Sequence, residues 1–171
     1  MFKKIAFSAL CAAVAFTSIG AAYAKDLKVA SNTTFPPFEF VNSKTNEITG
    51  FEMDLIKAMG KQAGYNVIIQ NMGFDGIFPG ILAGTVDVGA SGISITAERQ
   101  KKVLFTDPFY ESGLTILVNK NDADKIHGFA DLKGKKIAVQ IGTTAAAKAK
   151  EIPGATVVTF NHAGEATLEL S

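Results

Sequence analysis

Apolar and polar positions along this chain switch repeatedly between a period of two and a period of 3.6. LKVAS (27–31) is extended and leads into the loop NTTFPPFEF (32–40). Behind Gly50, FEMDLIKAMGKQAG carries Phe51, Leu55, Ile56 and Met59 at helical spacing and stops at Gly64. YNVIIQ (65–70) is a second strand, and 74–82 a short helix around Pro79 closed by Ala83 and Gly84. VDVGA (86–90) is a buried strand, and GLTILVN (113–119) is strongly extended. Residues 126–132 read as a short helix or turn. KKIAVQ (135–140) and TVVTF (156–160) are strands on either side of an alanine-rich helix, 143–151. Strands alternating with helices predict an α/β fold with largely parallel sheets.

The two ends stand outside this alternation. Residues 1–24 have Lys3 and Lys4 before a short apolar run and a small-x-small site at Ala22, Tyr23 and Ala24, the pattern of a cleaved secretory leader. The run is too short for a membrane span. Cys11 has Ser8 and Leu10 where a lipoprotein signal carries leucine and a small residue, so it reads as part of the leader's apolar core. Cleavage after Ala24 leaves 147 residues without cysteine, bound for the periplasm. The other end, EATLELS, stops inside an amphipathic helical pattern, which leads us to expect a C-terminally truncated chain or fragment.

Charge narrows the partners. Without Lys3 and Lys4 the chain has 15 basic and 16 acidic residues, a balance that favours neither nucleic acid nor a membrane surface. Enzyme signatures are thin. His127 and His162 lie in no metal-ligand spacing, there is no G-x-S-x-G elbow, and QIGTTA lacks the lysine and spacing of a phosphate loop. Both histidines read as surface or structural residues. Glu52 and Asp54, two apart on a helix, do not share a face and read as solvated or capping groups. No metal or cofactor is expected.

One place concentrates unusual chemistry. SGISITAERQ (91–100) holds Arg99, the only arginine; the other basic residues are lysines. Alternation turns Ile93 and Ile95 inward and Gly92, Ser94 and Thr96 outward. Thr96 caps a helix from Ala97, which puts Arg99 at its third position. Hydroxyls, free N–H groups and a guanidinium converging there make a carboxylate site. A surface ion pair of Arg99 with Glu98 or a nearby acid is the equal alternative. Phe35 and Phe74 each follow a strand, at the edge where open α/β sheets bind ligands, although each taken singly reads as core.

FPPFEF, GFEMDL, GFDGIFPGILAGTVDVGASGISITAERQKKVLFTDPFY and DLKGKKIAVQIGTT resemble, in order and spacing, the extracellular solute-binding proteins of polar amino-acid ABC transporters, closest to the glutamine-binding type. The resemblance implies a two-lobed α/β fold of the type II periplasmic binding protein kind, with lobe 1 at 25–112 and lobe 2 at 113–171. It implies a monomer that closes on one free amino acid and delivers it to a membrane permease. Arg99 and the Ser94 N–H would hold the ligand carboxylate; the Ser94 hydroxyl and Gly92 carbonyl would accept from its ammonium. Phe35 and Phe74 would flank its side chain, and Thr143 and Thr144 would add carboxylate donors from the second lobe. Gln140 would reach the side chain, with Asn32 and Ser91 completing the lining. The family often has Asp where this chain has Asn32, which favours uncharged over cationic ligands. The second-lobe acid for the ammonium and the first lobe's return crossover would lie beyond residue 171, so the second lobe is expected incomplete and the product weakly binding or poorly folded. The same fold serves a periplasmic cyclohexadienyl dehydratase and receptor sensor domains, the two alternative functions.

Overall fold

A computed structural model describes residues 24–170. The leader therefore lies outside the described residues apart from Ala24. The first half is a parallel sheet in the order β5-β1-β6, with β1 (Lys25–Ser31) between β5 (Tyr65–Asn71) and β6 (Val88–Gly89). β1 is the core strand because its neighbouring side chains serve opposite faces. Val29 packs with Met53 of helix α1 (Phe51–Gln62) and with Ala90. Ala30 packs on the other face with Phe74, Val86 and Ile77 of helix α2 (Ile77–Leu82). The ladder extends past β6 through Asp87 N–H to the Lys28 carbonyl and Ala90 N–H to the Ala30 carbonyl, both 2.9 Å. The second half pairs β7 (Lys136–Gln140) in parallel with β8 (Thr156–Phe160). Val139 of β7 packs with Ala146 and Ala149 of α4 (Thr144–Lys150) to form its core, and α5 (Ala163–Leu168) follows β8. This is an α/β architecture with two sheet-centred halves, as the alternation predicts.

Four expectations are corrected. The 32–40 loop is not irregular: β2 (Thr34–Phe35), β3 (Glu39–Val41) and β4 (Ile48–Thr49) form a small antiparallel sheet. In α1 the buried residues are Glu52, Met53 and Gly60; Ile56 packs against the core as its spacing predicts, whereas Phe51 and Met59 are about half exposed. Phe51 instead meets the rings of Phe38 and Phe109, each at 6.1 Å. Residues 91–96 do not continue β6, because Gly92 takes φ +53° and turns the chain; Ile93 still packs on the core, but Ile95 is exposed. Residues 113–119 form no strand, since an extended segment needs a neighbour for its N–H and C=O groups and none pairs with it among the described residues.

Gly50 decides how α1 seats on this frame. Its φ of +130° and ψ of 168° lie in a region open essentially to glycine. A Cβ there would land on the Phe38 carbonyl, 2.6 Å from its carbon. That close approach lets Phe51 N–H donate to Pro37 and Glu52 N–H to the Phe38 carbonyl, both at 3.0 Å. Glu52 is thereby carried inward, behind the chain turn at Gly92. Among the described residues no helix is long and apolar enough to cross a membrane.

Candidate functional site

The carboxyl edges of both parallel sheets face each other across one cleft. Asn32 follows β1, Phe74 follows β5, and Ser91 and Gly92 lie just beyond β6. Opposite them, Gln140 ends β7, Thr143 caps α4, and His162 follows β8 at the start of α5. Asn32, Phe35, Phe74, Ser91, Gly92, Ser94, Arg99, Gln140, Thr143 and Thr144 all line this cleft.

Arg99 is placed by the local chemistry of its turn. The Thr96 hydroxyl accepts from Arg99 N–H at 3.2 Å, so α3 (Ala97–Gln100) begins as its capping residue predicts. The guanidinium then turns away from Glu98, whose ion pair is with Lys102. Nη1 donates to the Ser94 carbonyl at 2.9 Å, and Nη2 crosses to the Gly142 carbonyl of the opposite half at 3.1 Å. The Phe78 and Phe74 rings lie under it, with centroids at 5.1 and 5.8 Å. Burial lowers its pKa from the ordinary arginine value while Glu98 pulls the other way; the group stays charged. The surface ion-pair alternative is therefore not what Arg99 makes.

Asn32 links the two halves at the far end of the cleft. Its Oδ1 accepts from Gln140 Nε2 at 3.0 Å and from the Thr34 hydroxyl, and its Nδ2 donates to the Met72 carbonyl at 2.9 Å. Nδ2 also lies 3.3 Å from His162 Nδ1. Gln140 Nε2 further donates to the Asn161 carbonyl. The aromatic pair divides. Phe35 is about half exposed, stacks on Phe38 at 5.8 Å and borders Gly92, whereas Phe74 is buried in the core beneath Arg99. The Thr143 hydroxyl donates to the Gln140 carbonyl and accepts from Ala146 N–H, so it caps α4. The N–H groups of Thr144 and Ala145 have no helical acceptor, and both residues line the cleft.

Two acidic residues hold the Ser91/Gly92 corner from behind. Gly92 N–H donates to Glu52 Oε2 at 2.6 Å. The Ser91 hydroxyl donates to Glu39 Oε1 at 3.3 Å and accepts from Asn32 N–H at 2.9 Å. Both carboxyls are buried, so the solvated reading of Glu52 is overturned. Glu39 Oε2 has no partner as a bare acceptor; a proton on Glu39 lets it hydrogen-bond the Glu52 carboxylate beside it. Burial first, then the Glu52 charge and that hydrogen bond, push Glu39 up to about 9, against a smaller downward pull from Ser91. Glu39 has no place in the sequence-based site, and Glu52 and His162 stand there only as a solvated or capping acid and a surface or structural histidine. The signal for Glu39 was its place between Phe38 and Phe40, where alternation sends a lone carboxyl to the opposite face from its aromatic neighbours.

Stability follows with a definite sign. Unfolded, Glu39 releases its proton near its ordinary value of 4.5; folded, it keeps the proton up to about 9. Its protonated form favours the fold, so this contribution is whole below the unfolded value and is lost as pH climbs through that window. Denaturant melts should show a midpoint that falls steadily from about pH 5 to about pH 9, and Glu39→Gln should flatten the fall. An unchanged slope in that variant would refute the assignment.

Sequence and structure comparisons agree on a family. Residues 27–166 match the one described as bacterial extracellular solute-binding proteins, family 3. The ABC transporter arginine-binding protein 1 of Escherichia coli (strain K12) is 39% identical over 142 residues, 83% of this chain and 56% of that protein. The ancestral amino acid-binding protein AncCDT-1, a precursor of cyclohexadienyl dehydratase, superposes with a TM-score of 0.80 at 44% identity, over 85% of this chain and 65% of its own. An ancestral arginine-binding protein bound to glutamine gives a TM-score of 0.80 at 42% identity, over 85% and 64%. The chain thus spans about half the length of the curated relatives it matches, and the described structure is a partial two-lobed α/β fold.

Proposed function

Because the chain belongs to the bacterial extracellular solute-binding proteins of family 3, we propose that it captures a free polar amino acid in the periplasm and passes it to an ABC-transporter permease. The observation that carries this reading is Arg99, whose two guanidinium donors already reach carbonyls on both sides of the cleft. An amino acid's carboxylate is a stronger acceptor than the Gly142 carbonyl and replaces it. Ser94 N–H and the first-turn N–H groups at Thr143 and Thr144 supply the remaining donors, and the Gly92 carbonyl and Ser94 hydroxyl accept from the ammonium. Phe35 covers the ligand's aliphatic stem, while Phe74 acts from beneath, through Arg99. The lobes are 25–112 and 113–171. Since contacts come from both, ligand binding favours the closed arrangement. The protein acts as a monomer, exported by cleavage after Ala24.

Asn32 and Gln140 line the side-chain end, with His162 Nδ1 3.3 Å from Asn32 Nδ2. Asn32 and Gln140 are amides that offer both donors and acceptors, and no carboxylate is hydrogen-bonded among them. A guanidinium or ammonium placed there would be desolvated without a counter-charge. This supports glutamine ahead of arginine. The dehydratase alternative draws less support, because its structural counterpart is itself an amino acid-binding protein. Isothermal titration of the intact protein with each of the twenty amino acids is the test. One-to-one binding strongest for L-glutamine is expected, with a negative heat-capacity change. Silence for every amino acid, or turnover of prephenate, would overturn the reading.

A further inference from the structure

The buried carboxyls behind the cleft are left without a role by the capture mechanism itself. We propose that Glu39 and Glu52 share one proton and, as a singly charged pair, fix the Ser91/Gly92 corner in its binding shape and set a negative charge behind the ligand's ammonium. The inference rests on the reading that this corner receives the ammonium group.

Geometry carries it. The corner faces the cleft with almost no regular hydrogen bonding of its own, since β6 ends at Gly89 and Gly92 turns the chain at φ +53°. Its shape is held from behind by Glu52 on Gly92 N–H and by Glu39 on the Ser91 hydroxyl, which in turn anchors Asn32 N–H. Glu52 comes from α1 and Glu39 from β3, so helix, small sheet and corner are tied at one point. A side chain at Gly92 would sit 3.5 Å from Glu39 Oε1 and 3.6 Å from the Phe35 ring, so the carboxyl lies directly behind the cleft wall.

Charge accounting then requires a single proton. None of the ion pairs among the described residues involves either carboxyl. Two adjacent buried anions without a cation are disfavoured, and two neutral acids would leave Gly92 N–H with a weaker acceptor than its short contact implies. With one proton, Glu39 O–H donates to Glu52, the otherwise unpartnered Glu39 Oε2 is satisfied, and Glu52 stays an anion toward Gly92. Of the elements packed here, α1 presents Glu52, β3 presents Glu39, and the corner and Phe35 present no charge; Glu52 is the charged group that acts on Glu39.

Two measurements on the intact protein test this. Infrared difference spectroscopy at neutral pH should find the carbonyl stretch of a protonated carboxylic acid, and Glu39→Gln should remove it. Titration with L-glutamine should show the double variant Glu39→Gln/Glu52→Gln binding about tenfold more weakly, because it keeps the hydrogen-bonding shape but loses the charge. Glu39→Gln alone, which keeps the charge on Glu52, should lose clearly less. A missing acid band in the wild type, or a folded double variant that binds as tightly as the wild type, would overturn the proposal. Should the wild type bind no amino acid, the capture reading fails instead, and the infrared band still decides whether the proton is shared.

Discussion

Arg99→Ala lowers amino-acid affinity by about a hundredfold or more while leaving the melting temperature of the ligand-free protein nearly unchanged. Two charge-assisted bonds at about 1.5–3 kcal/mol each set that scale, reduced by the carbonyl contacts they replace. The side chain is partly exposed, and its bonds to Ser94 and Gly142 lie at the cleft surface. Its removal therefore disturbs little of the core. Arg99→Lys falls between: the charge and a contact over Phe78 survive, but the fork that reaches both halves does not. Calorimetric titration of the three proteins with L-glutamine checks both statements. Equal affinity in wild type and Arg99→Ala would remove the carboxylate role.

Gly50→Ala acts on the fold instead, and is expected to destabilise it by about 3 kcal/mol or more. The new Cβ would strike the Phe38 carbonyl, which is backbone and cannot rotate aside. Relief requires α1 to lift from the small sheet, which breaks the N–H bonds of Phe51 and Glu52 to Pro37 and Phe38. Glu52 then withdraws from Gly92, so residual folded protein should bind ligand poorly as well. Denaturant melts and titration of the same sample measure the two consequences together. An alanine variant as stable as the wild type would show that the α1 entry is looser than its geometry indicates.

The parallel α/β core was readable because its signals are local. Period-two runs at 27–31, 65–70, 135–140 and 156–160 became strands, and Thr96 became a helix cap through its own hydroxyl. What escaped lacked a readable local period or was set by contacts elsewhere in the chain. The antiparallel β2, β3 and β4 pair locally, across Pro36-Pro37 and across 42–47, but as runs of two or three residues too short to show an alternation. The α1 stripe rotated because Gly50 fixes the helix entry and carries Glu52 inward. GLTILVN has strand composition, but composition supplies no partner strand. The site divides in the same way. Arg99 stood out as the one arginine, set behind a capping Thr96, whereas Asn32 and Gln140 came only from the family resemblance. Glu39 and Glu52 lie 13 positions apart and are brought together only by the fold, and each alone looks like an ordinary surface acid.

A crystal structure of the intact protein with L-glutamine would test the central claim most directly. The account predicts the ligand's carboxylate forked on Arg99, its ammonium at the Gly92 corner and its amide between Asn32 and Gln140. A ligand carboxylate bound away from Arg99, with the guanidinium still on the Ser94 and Gly142 carbonyls, would contradict it.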